Sequence, residues 1–166
     1  MDQNGSIPAR TTFRDPSRVL HFCPPQPDEA TMSQTRLDAA VTRPGEDFSR
    51  VALTPASVDL LRKLWEQYGP LMFHQSGGCC DGSSPMCYPA GEFITGDSDV
   101  LLGVFDISDG VLPKTVEFWM SREQFNYWSH THLTVDVVPG RGSGFSVEAP
   151  EGKRFLIRST LMEWPV

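Results

Sequence analysis

Three of the four cysteines in this 166-residue chain, Cys79, Cys80 and Cys87, fall in one short stretch that begins at His74 and is loosened by Gly77, Gly78 and Gly82. Thiolates and imidazoles are preferred ligands of zinc and of iron centres, and glycines let several side chains converge on one point without steric cost. The spacing between Cys80 and Cys87 is looser than the paired Cys-x2-Cys knuckles of zinc ribbons, so the stretch reads as a partial ligand set. His130 and His132 form a second cluster: two residues apart at the entry to a strand, they point to one face. The residues therefore offer Cys79, Cys80 and Cys87 with His74, and the pair His130 and His132, as candidate ligands for zinc or an iron centre.

The same residues allow other chemistry. A Cys–His pair makes a thiolate nucleophile if Asp81 or Asp136 orients the imidazole, which defines a small thiol enzyme as an alternative. A bland reading stands beside both, because cysteines often serve as small buried packing units and His74 lies on an otherwise apolar strand. There is no nucleophile elbow, phosphate-binding loop or zinc-protease helix, and the Gly140-Arg141-Gly142 cluster lies between two expected strands with no helix to cap a pyrophosphate. A stand-alone enzyme is therefore the weaker expectation.

Composition narrows the setting. The formal net charge of −7 argues against a nucleic-acid binder, which depends on clustered Lys and Arg. No apolar run approaches the ~18 residues of a membrane span, and no export signal is evident, so the expected setting is cytoplasmic, with reduced thiols and no membrane partner. Adjacent Cys79 and Cys80 would in any case make a poor bridge to each other.

The elements that must position these residues follow from periodicity and punctuation. Residues 1–50 are Pro-rich with little apolar pattern and are expected as a disordered tail, with Met32 as an alternative start of translation to Met1. Residues 51–166 are expected as a single domain. Thr54 as N-cap and Pro55 at the first helical position open a helix carrying Leu60, Leu61, Leu64, Trp65 and Tyr68, and Gly69-Pro70 stops it. Strands are expected at 71–75, 100–104, 116–120, 133–138, 145–149 and 154–161. Ser121 and Gln124 match a capping box for a short helix that turns Phe125 and Trp128 inward, and 96–99 reads as a turn. The fold class is α+β with a mainly antiparallel sheet, one N-terminal helix and one short internal helix.

The run from Leu71 through the cysteine stretch to Pro139-Gly140-Arg141-Gly142 and Glu148-Ala149-Pro150-Glu151-Gly152 resembles the bacterial domain-of-unknown-function family 779, over about Val51 to Leu161. Members are associated with acetaldehyde dehydrogenase through gene neighbourhood. The resemblance thus implies an accessory role beside an aldehyde or alcohol dehydrogenase; a purely structural partner of that enzyme is a further alternative. The family pattern carries His130 but usually Gln at the position of His132, which leaves His132 out of the expected site. More distantly, Gly77-Gly78-Cys79, Leu133-Thr134-Val135-Asp136 and Gly144-Phe145-Ser146-Val147-Glu148-Ala149-Pro150 are similar to the A-type iron–sulfur carriers of HesB/IscA type. That likeness implies a HesB-like fold with Cys79 as a cluster ligand. The chain has no counterpart of their C-terminal cysteine pair, so Cys80, Cys87 and a histidine would replace it. Self-association as a homo-oligomer is compatible with all of this.

Overall fold

The computed structural model describes residues 36–77, 82–142 and 144–163. Its strands are β1 (Leu37–Asp38), β2 (Val51–Leu53), β3 (Leu71–Gln75), β4 (Met86–Pro89), β5 (Asp99–Asp106), β6 (Thr115–Ser121), β7 (Thr131–Pro139) and β8 (Lys153–Leu161). Two helices join them, α1 (Pro55–Tyr68) and α2 (Arg122–Trp128). The strands form two four-stranded sheets in the orders β1-β2-β7-β8 and β4-β3-β6-β5.

The class is α+β, but the sheets are mixed where a mainly antiparallel arrangement was expected. β2 runs parallel to β7, and β3 runs parallel to β6. α1 carries the chain from β2 in the first sheet to β3 in the second, so β2 and β3 do not pair with each other and each takes a parallel partner from later in the chain. The antiparallel pairs are β1–β2, β3–β4, β5–β6 and β7–β8, each between strands consecutive in sequence.

α1 forms as its sequence demands. Thr54 accepts the Ser57 N–H, Pro55 opens the first turn, and Leu60, Leu61 and Leu64 are buried. Burying each leucine contributes about 1.5–3 kcal/mol. The helix is tied to both halves of the molecule: Ser57 Oγ donates to the Val135 carbonyl at 2.8 Å in the first sheet, and Arg62 donates to the carbonyls of Ile107 and Ser108 after β5. α2 begins at the expected cap, Ser121 Oγ accepting from Gln124 N at 3.3 Å, and buries Trp128. Phe125 is only half-buried, beneath the guanidinium of Arg43 at 4.1 Å.

The sheets close on each other at two seams. At one, Ala40 and Val104 exchange backbone hydrogen bonds between the end of β1 and β5. Gly103 is essential to that contact, since a Cβ there would sit 2.6 Å from Ala39 Cβ. At the other seam each edge strand pairs with the segment that leads into the opposite one. Gly82 and Ser83, ahead of β4, bond Ile157 of β8 at 2.7 Å each, while Val147, ahead of β8, donates to the Cys87 carbonyl of β4 at 3.0 Å. Between the sheets, Phe73 meets Phe118 and Phe155 at ring-centroid distances of 5.6 and 4.9 Å.

Two further expectations need correction. Residues 36–50 are not tail: they supply β1, the buried Ala39, and a buried Arg50 bonded to Glu46 and to the Ser129 carbonyl. Small residues and the ion pairs of Glu46 with Arg43 and Arg50 let this stretch order without a long apolar pattern. Residues 145–149, expected as a strand, form turns and enter a 3₁₀ turn at 149–151. Their backbone is turned so that Ser146 and Glu148 reach inward. The rest of the expected tail, 1–35, lies outside the described residues.

Candidate functional site

β3 and β4 are antiparallel neighbours with Phe73 opposite Cys87 and His74 opposite Met86. Successive side chains alternate across a strand, so Cys87 shares the inner face with Phe73 and His74 projects from the outer face. The connection 76–85 between the two strands is the cysteine loop. Its near end is held by Gln75, whose amide donates to the Gly77 carbonyl, and its far end by the Gly82–Ile157 bond. Cys79, Cys80 and Asp81 lie outside the described residues.

Cys87 is wholly buried in the hydrophobic core as a free thiol. Burial pushes its pKa well above the ordinary thiol value, and the neighbouring Glu148 carboxylate adds to the effect. Its backbone N–H donates to Ser146 Oγ at 2.8 Å, and that hydroxyl donates in turn to Glu148. Glu148 is itself fully buried, with burial raising its pKa. A metal ligand must be deprotonated, and this pocket opposes deprotonation.

His74 is 3% exposed. Its Nε2 lies 2.8 Å from Asp99 Oδ1, and the other carboxylate oxygen of Asp99 accepts the Gly96 N–H at 2.9 Å. The His74 hydrogen bond, with the Gly96 N–H assisting, holds the Asp99 carboxyl below its ordinary range against the cost of burial. The Phe93 ring lies 4.1 Å from the imidazole, and Tyr88 stacks on Phe93 at 5.3 Å. Among the described residues, Nδ1 of His74 is buried with no hydrogen-bond partner. An unpaired buried imidazole nitrogen costs about 1–3 kcal/mol unless something occupies it. In a neutral imidazole donating from Nε2 to the carboxylate, Nδ1 presents a lone pair, the form in which histidine binds a metal or accepts a proton.

The remaining histidines stand apart. His130 is exposed, just after α2, its backbone carbonyl accepting from Met162 N at 3.0 Å. His132 is half-buried on β7 of the first sheet, beside Asp38 and Arg36, and burial lowers its pKa. Asp136, one of the two acids expected to orient an imidazole, is engaged by Arg158 at 2.7 Å and Thr54 at 3.1 Å instead. Asp99 fills that role: the Gly96-to-Asp99 turn is legible in the sequence, but nothing in the spacing announces its meeting with a histidine 25 positions earlier. Among the described residues no three His, Cys, Asp or Glu side chains are grouped as a metal would require. Of the expected ligands within the described residues, then, Cys87, His74 and His130 are not brought together. No helix among those residues is long and apolar enough to cross a membrane.

The two mixed sheets and two helices define an α+β domain. Residues 60–161 match the family model described as a domain of unknown function, DUF779, and the chain belongs to that family. No curated protein and no solved structure matches the chain.

Proposed function

We propose that this protein is a small accessory protein that holds zinc, iron or an iron–sulfur species at the cysteine loop, with Cys79 and Cys80 as sulfur ligands and His74 as the nitrogen ligand. The observation that carries the reading is the unpartnered, buried Nδ1 of His74 on the strand that leads directly into that loop. Cys87 is left out because its thiol faces the core, and His130 because it is exposed on the other sheet's side of the chain. Family resemblance and gene neighbourhood support an aldehyde or alcohol dehydrogenase as the client. The HesB/IscA-like relation rests on the order of motifs in the sequence.

Metal analysis of tag-free protein purified under reducing conditions tests the proposal. Stoichiometric zinc or iron, lost in Cys79→Ser, Cys80→Ser and His74→Ala and retained in Cys87→Ala, is the expected result. Trace metal unchanged by these substitutions contradicts it.

A second reading, a thiol enzyme acting on aldehydes, draws on the same histidine: an imidazole with a free Nδ1 beside a cysteine loop can accept a thiol proton. Alkylation rates against pH separate the two. A loop thiol titrating well below about 8.5 in metal-free protein, and doing so only while His74 is present, favours the enzyme.

A further inference from the structure

The outer face of the first sheet carries a cleft of about 340 Å³ whose lining is polar throughout: Arg36 and Asp38 at β1, Ser49 ahead of β2, His132 of β7 and Thr160 of β8. Strand register explains the convergence. Leu37, Leu53, Val135 and Ile157 stand side by side across the four strands against the core, so Asp38 and the cross-strand pair His132 and Thr160 turn to the opposite face. Arg36 is held over that face by Nη1, which donates to Thr134 Oγ1 at 3.2 Å. The volume suits a small molecule. The cleft lies on a different sheet from the cysteine loop, so what it binds is independent of any metal held there.

The charges in the lining select the ligand. Burial lowers the His132 pKa, with the Asp38 carboxylate raising it and the Arg36 guanidinium lowering it, so the imidazole is neutral at neutral pH. One cation, Arg36, and one anion, Asp38, therefore face the cleft. A guanidinium is a planar fork matched to a carboxylate, and a carboxylate accepts from an ammonium group. The Ser49 hydroxyl donates to the Val51 carbonyl at 2.9 Å, so toward a ligand its oxygen is an acceptor as well. Asp38 repels a simple anion and Arg36 a simple cation, whereas a molecule carrying both charges a few atoms apart meets an opposite charge at each end. We propose that this cleft binds a free α-amino acid as its zwitterion, with Arg36 on the carboxylate and Asp38 and Ser49 on the ammonium group. The polar lining suits a small or hydroxylated side chain, for which His132 and Thr160 supply hydrogen-bonding groups.

The test uses the full chain with L-serine as the probe, and acetate and methylamine as controls that each carry one of the two charges. In nuclear magnetic resonance titrations of the wild type, L-serine is expected to shift the His132 ring and Thr160 amide signals saturably in the millimolar range, and each control to bind about tenfold more weakly or not at all. Asp38→Asn and Arg36→Gln are each expected to weaken L-serine binding about tenfold. Thermal unfolding checks that both variants are folded, and the exposed position of Asp38 keeps the test open if Arg36→Gln is not. No saturable shift with L-serine, acetate or methylamine binding as tightly as L-serine, or unchanged affinity in Asp38→Asn overturns the proposal. None of these outcomes bears on metal at the cysteine loop, which zinc or iron analysis reads separately.

Discussion

Phe73 and Cys87 stand opposite one another across β3 and β4, and that register sends Cys87 into the core and His74, the next residue along β3, to the other face. The candidate ligands on either side of the cysteine loop are thereby separated by a sheet.

Cys87 is accordingly expected to behave as a packing residue. In folded protein at mildly alkaline pH its thiol should resist iodoacetamide and react only after denaturation, as read by peptide mass spectrometry. Cys87→Ser places a hydroxyl in the same pocket and should destabilise the protein by about 1–3 kcal/mol in urea unfolding. Rapid native labelling of Cys87 contradicts this placement.

The Glu148 carboxyl gives a pH dependence whose sign follows from its burial. Its pKa is raised in the folded state, so folded protein holds the proton more tightly than unfolded chain does. That contribution to stability is fully present below the unfolded value, near 4.5, and is lost as pH rises through the folded value. Glu148→Gln keeps an acceptor for Ser146 without the charge. Its stability relative to wild type should therefore rise with pH between the unfolded and folded pKa values, at up to about 1.4 kcal/mol per pH unit, and level off above them. Denaturation series at several pH values check it; a difference independent of pH contradicts it.

The seam between the sheets predicts a third result. Gly103→Ala adds a methyl 2.6 Å from Ala39 Cβ and 3.1 Å from the Ala40 carbonyl oxygen. Forcing that contact apart should cost about 1–3 kcal/mol and pull β1 from β5. Hydrogen exchange of the Ala40 and Val104 amides, which bond each other's carbonyls, should accelerate with it.

Phe73 predicts the largest loss. It is fully buried and touches both Phe118 and Phe155, so Phe73→Ala should destabilise by about 3–5 kcal/mol in chemical denaturation. A loss below that of Cys87→Ser would place the centre of the core elsewhere.

Local signals carried much of this fold. Thr54-Pro55 and Gly69 bound α1, Ser121 opens α2, and the alternation in β7 and β8 marks strands, because caps and side-chain periodicity act within a few residues. Sheet pairing did not follow from such signals: the parallel β2–β7 and β3–β6 contacts join segments far apart in sequence, and no local pattern distinguishes them from hairpins. β4 was hidden because Pro85 and Pro89 make Met86 to Tyr88 look like loop, although an edge position tolerates both. At the site, residue type pointed to His74 and Cys87, but which face each occupies depended on a register that only the folded pair reveals. Asp99 was invisible for the same reason.

X-ray absorption at the edge of the bound metal, on wild type and His74→Ala, tests the central claim most directly. For zinc, the expected wild-type shell combines sulfur at about 2.3 Å with nitrogen at about 2.0 Å, and His74→Ala loses the nitrogen. A sulfur-only shell that His74→Ala leaves unchanged, or protein that binds no metal at all, contradicts the account.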